Sequence, residues 1–420
     1  MSNFSSGDHK YIRCQKDSSN NFISGTGLFN ESQLDINNDN IVDEKDTVCT
    51  DFEYYDLALR KISLTPGPAK FGANNFFRIL VYNQGTGIVR KVQIADYLTS
   101  SMHLNGVLSP GWFLLNDSTS LYTIDSLLPE DSVYIDIGII LSPYHNLSET
   151  INTAEIISFL NKDNSPVEDI DSYPDQIRRN DNKVIPESKE DDDILGKAKL
   201  NPGEDEDDED VALIPTFDLA LKKRIDTPPP YHYNEILSFK ITLFNQGHLT
   251  VYSSFITDYI PEGYDFDPIL NPGWVLNGRQ ASLMVTDSLR TGDTLDRFIQ
   301  LRLKPGTDPR QWINVSEILN ASISKRIGVH ALISDIDSDF DNIKDNDMGG
   351  VVNSSSDDHI DDDGKDSNMD GIKDEDDHDP AVPYIWDLAL KKKLLPLPPR
   401  FFPATNWIFR SKFIIRAQTR

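Results

Sequence analysis

Phe239-Lys240-Ile241-Thr242-Leu243-Phe244-Asn245-Gln246-Gly247 is the stretch that decides the fold. Phe239, Ile241 and Leu243 alternate with Lys240, Thr242 and Phe244, the period of a strand with one apolar face. Asn-Gln-Gly then ends the run as a turn. Upstream, Phe77, Ile79 and Val81 alternate in the same way and lead into Asn83-Gln84-Gly85. Tyr134–Ile139 and Phe298–Leu303 keep the period, and no long helical pattern intervenes. The expectation is an all-β chain of two tandem Ig-like antiparallel β-sandwiches joined by acidic, largely irregular linkers.

The two copies align landmark by landmark. Asp96-Tyr97-Leu98 matches Asp258-Tyr259-Ile260, and Pro110-Gly111-Trp112 matches Pro272-Gly273-Trp274. Asp125-Ser126-Leu127 matches Asp287-Ser288-Leu289, and Ala154-Glu155-Ile156 matches Ser316-Glu317-Ile318. A phrase Asp-Leu-Ala-Leu with a basic pair opens each copy and occurs a third time, at Asp56, Asp218 and Asp387, in steps of 218 − 56 = 162 and 387 − 218 = 169 residues. That is the length of a small domain plus a linker, too long for a solenoid unit. Prolines follow each phrase, at Pro66, Pro228 and Pro396, and end what reads as the first strand with its leucines inward. Trp112 and Trp274 share a register after a turn and read as core.

Charge is concentrated between the copies. Residues 161–215 hold 18 acidic and 7 basic side chains, net −11, and residues 334–384 hold 18 and 3, net −15, which together give −26 of the chain's −28. The expected organisation is 1–53, the end of an acidic linker; 54–160, the first sandwich; 161–215, a linker; 216–333, the second sandwich; 334–384, a linker; and 385–420, the start of a third repeat. Nucleic acid is excluded as a partner, because phosphate binding needs a basic surface. No segment is long and apolar enough for a membrane span.

Val81-Tyr82-Asn83-Gln84-Gly85-Thr86 and Asp258-Tyr259-Ile260-Pro261-Glu262-Gly263 resemble the Ig-like tandem repeats of bacterial cell-surface proteins, with their Val-x-Asn-x-Gly-Thr turn and Asp-x-Leu/Ile-Pro phrase. The acidic linkers also resemble those of large Bacteroidetes-type surface proteins. Asp96-Tyr97-Leu98 departs by lacking the proline, and His248 stands where threonine is usual. The resemblance implies an extracellular stalk or adhesin segment, neighbouring repeats of the same parent protein as partners, and no catalytic residues.

The acidic stretches contain loops with metal-ligand spacing. Asp366, Asn368, Asp370, Ile372, Asp374 and Asp377 occupy EF-hand loop positions 1, 3, 5, 7, 9 and 12, with Gly371 at the bend and Ile372 offering its carbonyl. Asp35, Asn37, Asp39, Ile41, Asp43 and Asp46 repeat the pattern, and Asp337, Asp339, Asp341 and Asp345 give a shorter version. A hard cation takes six to eight oxygens, so weakly bound Ca2+ is the expected cofactor. The first two loops resemble thrombospondin type 3 and dockerin calcium loops. Asp169 and Asp171 belong to no complete loop, and Asp191–Asp193 and Glu204–Asp210 read as solvated spacer.

Asp43–Asp46 aligns with Asp374–Asp377, so the chain is expected to begin inside a linker of a longer extracellular protein. After Asp387 no acidic residue follows, and Pro403–Arg420 leaves the repeat register; its back-translation in another frame restores the Phe-x-Ile-x-Val-Tyr-Asn-x-Gly-Thr pattern, which reads as a frameshift, the alternative being a basic tail or anchor. Cys14 and Cys49 either pair with each other or do not. The eight histidines pair with no repeated nucleophile, and the acidic pairs lie in linkers with no pocket to tune them. The reading is a non-catalytic, calcium-stiffened surface repeat. The alternative is a carbohydrate- or protein-binding accessory module of a secreted enzyme, using Trp112, Trp274, Tyr231 and Tyr233 on a surface glycan or protein ligand.

Overall fold

The computed structural model describes residues 53–65, 67–144, 146–173, 206–324, 335–342 and 375–385, with short pieces at 186, 192–196, 199, 333, 352–354 and 358–361. Strands at 15–16, 22–24, 28–34, 44–50, 386–395 and 408–417 are described as backbone. Among the described residues there is no α-helix; the regular structure is antiparallel sheet, with two single-turn 3-10 helices at Leu147–Thr150 and Pro309–Trp312.

The first unit has nine strands: β1 Leu57–Ser63, β2 Asn74–Asn83, β3 Val89–Tyr97, β4 Met102–Leu104, β5 Phe113–Asn116, β6 Thr119–Leu127, β7 Ser132–Leu141, β8 Ile151–Asn161 and β9 Glu209–Leu213. The second repeats them: β10 Leu219–Ile225, β11 Ile236–Asn245, β12 Ser253–Tyr259, β13 Tyr264–Phe266, β14 Val275–Asn277, β15 Gln280–Val285, β16 Thr294–Leu303, β17 Asn314–Ser322 and β18 His378–Ala381. In each unit one sheet has the order β1-β2-β7-β4 (β10-β11-β16-β13) and the other β9-β8-β3-β6-β5 (β18-β17-β12-β15-β14). The alternation read from the sequence sets the inward face: Phe77, Ile79 and Val81 on β2 and Phe239, Ile241 and Leu243 on β11 are buried. Each pair of sheets closes on its own apolar core.

Trp112 and Trp274 are 7% and 6% exposed, and their indole N–H groups donate to the carbonyls of Asp136 and Phe298. They are core residues and offer no ring platform to a ligand. β1 and β10 both stop before their prolines, as expected.

The ranges 161–215 and 334–384 are more than linkers. Their ends, β9 and β18, pair antiparallel with β8 and β17 and complete the sandwiches. Asp192, expected in a solvated run, takes a two-pronged contact from Arg60, at 3.0 and 2.8 Å. Lys222 Nζ contacts Asp358 Oδ2 at 3.0 Å. Two further backbone hairpins lie at the ends: Leu28–Leu34 with Glu44–Thr50, and Trp386–Leu395 with Ile408–Ala417.

Candidate metal centre

The opening Asp of each unit is held by the turn that gave the repeat away. In the first unit the N–H groups of Gln84 and Gly85 donate to the Asp56 carbonyl, at 2.8 and 3.1 Å. In the second, Gln246 and Gly247 do the same for Asp218. A Cβ on Gly85 would lie 2.6 Å from the Tyr54 carbonyl, and one on Gly247 2.7 Å from the Asp218 nitrogen. Glycine is required there because two backbones touch. Asn83 and Asn245 brace the turn, each side-chain amide donating to two carbonyls.

An Asp-x-Asp segment then folds under the opening strand. Asp169 accepts the Leu57 N–H at 2.7 Å and Asp335 accepts the Leu219 N–H at 2.8 Å. A second acidic segment, Glu206–Asp210 or Glu375–Asp379, runs between the two sheets as a strap. The Asp207 carbonyl takes the N–H of Leu59 on β1, and the Asp208 carbonyl takes that of Ile156 on β8. Asp376 and Asp377 do this for Leu221 and Ile318.

The strap brings carboxylates together. Ligand oxygens of Asp56, Asp171 and Asp207 lie within 4.8 Å of one another, as do those of Asp218, Asp337 and Asp376. Ser172 donates to Asp207 and Ser338 to Asp376. Beside the second set, Glu375, Asp377 and His378 converge within the same limit.

These acids are buried. Asp207, Asp208, Asp335, Asp376 and Asp377 are at most 2% exposed. Both oxygens of Asp208 are buried without a hydrogen-bond donor, as is one of Asp207 and one of Asp218. Burial, with neighbouring carboxylates adding to it, pushes Asp207, Asp208, Asp218, Asp335 and Asp377 well above the usual carboxylate range. Asp169 is pushed up to about 7 and Glu317, beside the second unit's strap, to about 8, burial being the largest cause in both. Ionised carboxylates in such a place need a cation or protons. The donors are oxygens, with one imidazole in the second unit, so the clusters can hold a hard divalent ion.

The sequence placed ligands differently. Of the Asp366–Asp377 loop, Asp377 is described and lies in the strap; Asp366, Asn368, Asp370, Ile372 and Asp374 lie outside the described residues. In the 337 loop, Asp337 joins Asp218 and Asp376, while Asp339 is half exposed near Lys70 at 3.7 Å and Asp345 lies outside. Asp341 sits among the acids that raise Glu317 and Asp377. Asp46 falls within the backbone strand Glu44–Thr50, and Asp35, Asn37, Asp39, Ile41 and Asp43 lie outside the described residues. Asp171, assigned to no complete loop, and Asp207, from the Glu204–Asp210 run read as solvated spacer, converge with Asp56; the correction for Asp207 comes from long-range folding of the strap. Asp56 and Asp218 were missed as candidate ligands. Their signal was present, since Asp169-x-Asp171 and Asp335-x-Asp337, then Asp207-Asp208 and Asp376-Asp377, recur in step with them.

No protein-family model and no curated protein matches the chain. Among solved structures it is similar to an inactive variant of a GH20 exo-β-N-acetylglucosaminidase from Vibrio harveyi, at 12% identity and TM-score 0.19 over 27% of this chain and 17% of that one. It is similar to red sea bream transglutaminase, at 8% identity and TM-score 0.20 over 65% and 29%. It is similar to a variant of BcpA, the major pilin subunit of Bacillus cereus, at 11% identity and TM-score 0.25 over 75% and 73%. The chain thus spans less than a third of the first two. At these scores none of the three bears on function.

Proposed function

We propose that this chain is a non-catalytic segment of an extracellular or cell-surface repeat protein, in which Ca2+ locks an acidic strap onto each β-sandwich. The observation that carries this reading is the recurrence of one buried carboxylate set in both units: Asp56, Asp171 and Asp207, then Asp218, Asp337 and Asp376. A stalk needs units that resist opening, and the strap joins the first strand of one sheet to the last long strand of the other. Without a cation, several buried negative charges would repel and release it. The neighbouring repeats are its first partners; no helix of the described residues is long and apolar enough to cross a membrane.

Equilibrium dialysis with metal analysis tests this, together with solution scattering with and without chelator. The expected result is uptake of at least one Ca2+ per unit with affinity on the order of 0.1–1 mM, typical of extracellular modules, and an expanded shape after chelation. No uptake at millimolar Ca2+, with an unchanged scattering profile, refutes it.

A further inference from the structure

The second residue of each basic pair points inward. On β1, Leu57, Leu59 and Lys61 share the buried face, and on β10 Leu219, Leu221 and Lys223 do. Lys61 is 1% exposed and Lys223 0%. Each ammonium lies about over an aromatic ring, Phe77 at 5.0 Å and Phe239 at 5.2 Å. Each meets one carboxylate from the opposite sheet. Lys61 Nζ contacts Asp96 Oδ2 on β3, and Lys223 Nζ contacts Asp258 Oδ2 on β12 at 2.5 Å. Both carboxylates are fully buried.

An asparagine completes each group. Asn152 on β8 donates its Nδ2 to Asp96 Oδ1 at 3.0 Å, and Asn314 on β17 donates to Asp258 Oδ2 at 3.3 Å. Both amides are 0% exposed, and in both the Oδ1 atom is buried with no hydrogen-bond donor. Thus an amine and a primary amide stand on the same carboxyl group, in an apolar core, twice in one chain. A salt bridge alone accounts for Lys and Asp but leaves the amide oxygen orphaned in both copies, a costly arrangement to repeat. The dry surroundings also favour the neutral amine: burial pushes Lys61 and Lys223 down from the usual lysine value.

We propose that Lys61 condenses with Asn152, and Lys223 with Asn314, to form intramolecular amide cross-links, with Asp96 and Asp258 carrying the protons. The ammonium proton passes to the Asp carboxylate, leaving a free amine and a carboxylic acid. A half-turn of the asparagine amide sets its Oδ1 on that acid, which polarises the carbonyl. Lys Nζ attacks Cγ and the Nζ–Cγ bond forms. A proton leaves Nζ and, through the carboxyl, reaches Nδ2; the Cγ–Nδ2 bond breaks and ammonia departs. The products are a secondary amide, one ammonia and a protonated Asp. No oxidant or cofactor is consumed, and a buried charge pair has become neutral. The cross-link would tie β1 to β8 and β10 to β17, the strands that the acidic strap also bridges, independently of any metal. Unit two adds Ser316, whose Oγ lies 2.9 Å from Lys223 Nζ where unit one has Ala154.

Intact-mass spectrometry of the full chain in denaturant tests this, since a covalent bond survives unfolding. The expected mass is short by two ammonia molecules, and peptide sequencing after proteolysis finds branched peptides joining Lys61 to Asn152 and Lys223 to Asn314. Asp96→Ala with Asp258→Ala restores the full mass. Because those variants can also fail to fold, Asn152→Asp is the second arm: Lys61 then condenses with loss of water in place of ammonia at that site alone. A wild-type chain of full mass overturns the proposal. So does a deficit of water with Lys61 joined to Asp96, which would make the carboxyl the acyl donor.

Discussion

Ile336 and Ile170 occupy the same place in the two units and meet opposite fates. Each is the central residue of the Asp-x-Asp segment, with its N–H on the carbonyl of the residue just before the opening Asp, Phe217 or Tyr55. Ile336 is 4% exposed and belongs to the core of the first unit; Ile170 is 37% exposed. The Asp335-Ile336-Asp337 segment of one unit is therefore also the plug of its neighbour. Around it, Tyr144 donates to Thr216, and His248 bridges Thr216 and Thr150 at 2.9 and 3.2 Å. Organising the centre and seating one unit on the next are one structural event.

Chelation is the harshest way to break the comparison. At about 10 mM Ca2+ and Kd on the order of 0.1 mM, each site adds about 2.7 kcal/mol to its unit. Removal should lower each unit's melting temperature by roughly 5–10 °C. Calorimetry should also show the second transition losing its contact with the first, because Asp335-Ile336-Asp337 comes away. A single transition unmoved by chelator would show that strap and joint stand without metal.

The isoleucines separate plug from strap. Ile336→Ala removes a buried side chain and should cost about 2–4 kcal/mol, felt in the first unit although the residue belongs to the second. Ile170→Ala should cost a few tenths of a kcal/mol, as for an exposed position. Equal losses measured by denaturant unfolding would mean that the joint does not depend on this contact.

How far the sequence carried follows from the range of each interaction. The strand period of Phe77–Val81 and Phe239–Leu243 is local, so the sandwiches were legible, as was the core role of Trp112 and Trp274. Candidate metal ligands were sought as local loops, which picked out Asp337 and Asp377 but not the residues they converge with in the fold, Asp218 and Asp376 for the one and Glu375 and His378 for the other. The set actually formed joins Asp56 to Asp171 and Asp207, residues far apart in sequence, through a strap whose pairing with β8 no spacing rule announces. Lys61 was hidden differently. Read as half of a basic pair it looks solvated, yet period-two alternation from Leu57 and Leu59 already put it on the inner face, and the same holds for Lys223.

The joint also carries a pH signature that the first unit lacks. His248 stands where that unit has Thr86. Burial pushes its imidazole down to about 4. The unfolded chain, with an ordinary histidine near 6.5, takes up the proton first, so stability falls as pH drops from about 6.5 to about 4 and loses nothing more from this group below that. At pH 5 the loss should be on the order of 2 kcal/mol. His248→Thr should flatten that limb of the second unit's pH–stability curve and leave the first unit's unchanged; a limb that persists would place the titration elsewhere.

The finest difference lies in the strap itself, where Glu209 of the first unit is replaced by His378 in the second. His378 Nδ1 is 3.5 Å from Asp377 Oδ1, and its ring converges with Glu375 and Asp377. An imidazole adds little for Ca2+, which prefers oxygen, but favours Zn2+ or Ni2+. The two units should therefore bind Ca2+ alike and part on Zn2+, the second being stronger by about tenfold, roughly 1.4 kcal/mol. Zn2+ titration followed by calorimetry should stabilise the second transition more than the first. His378→Glu should abolish that preference while keeping the Ca2+ response. If Zn2+ still favours the second unit in that variant, the nitrogen is not a ligand and the difference must arise from the surrounding carboxylates, Glu317 and Asp341 foremost.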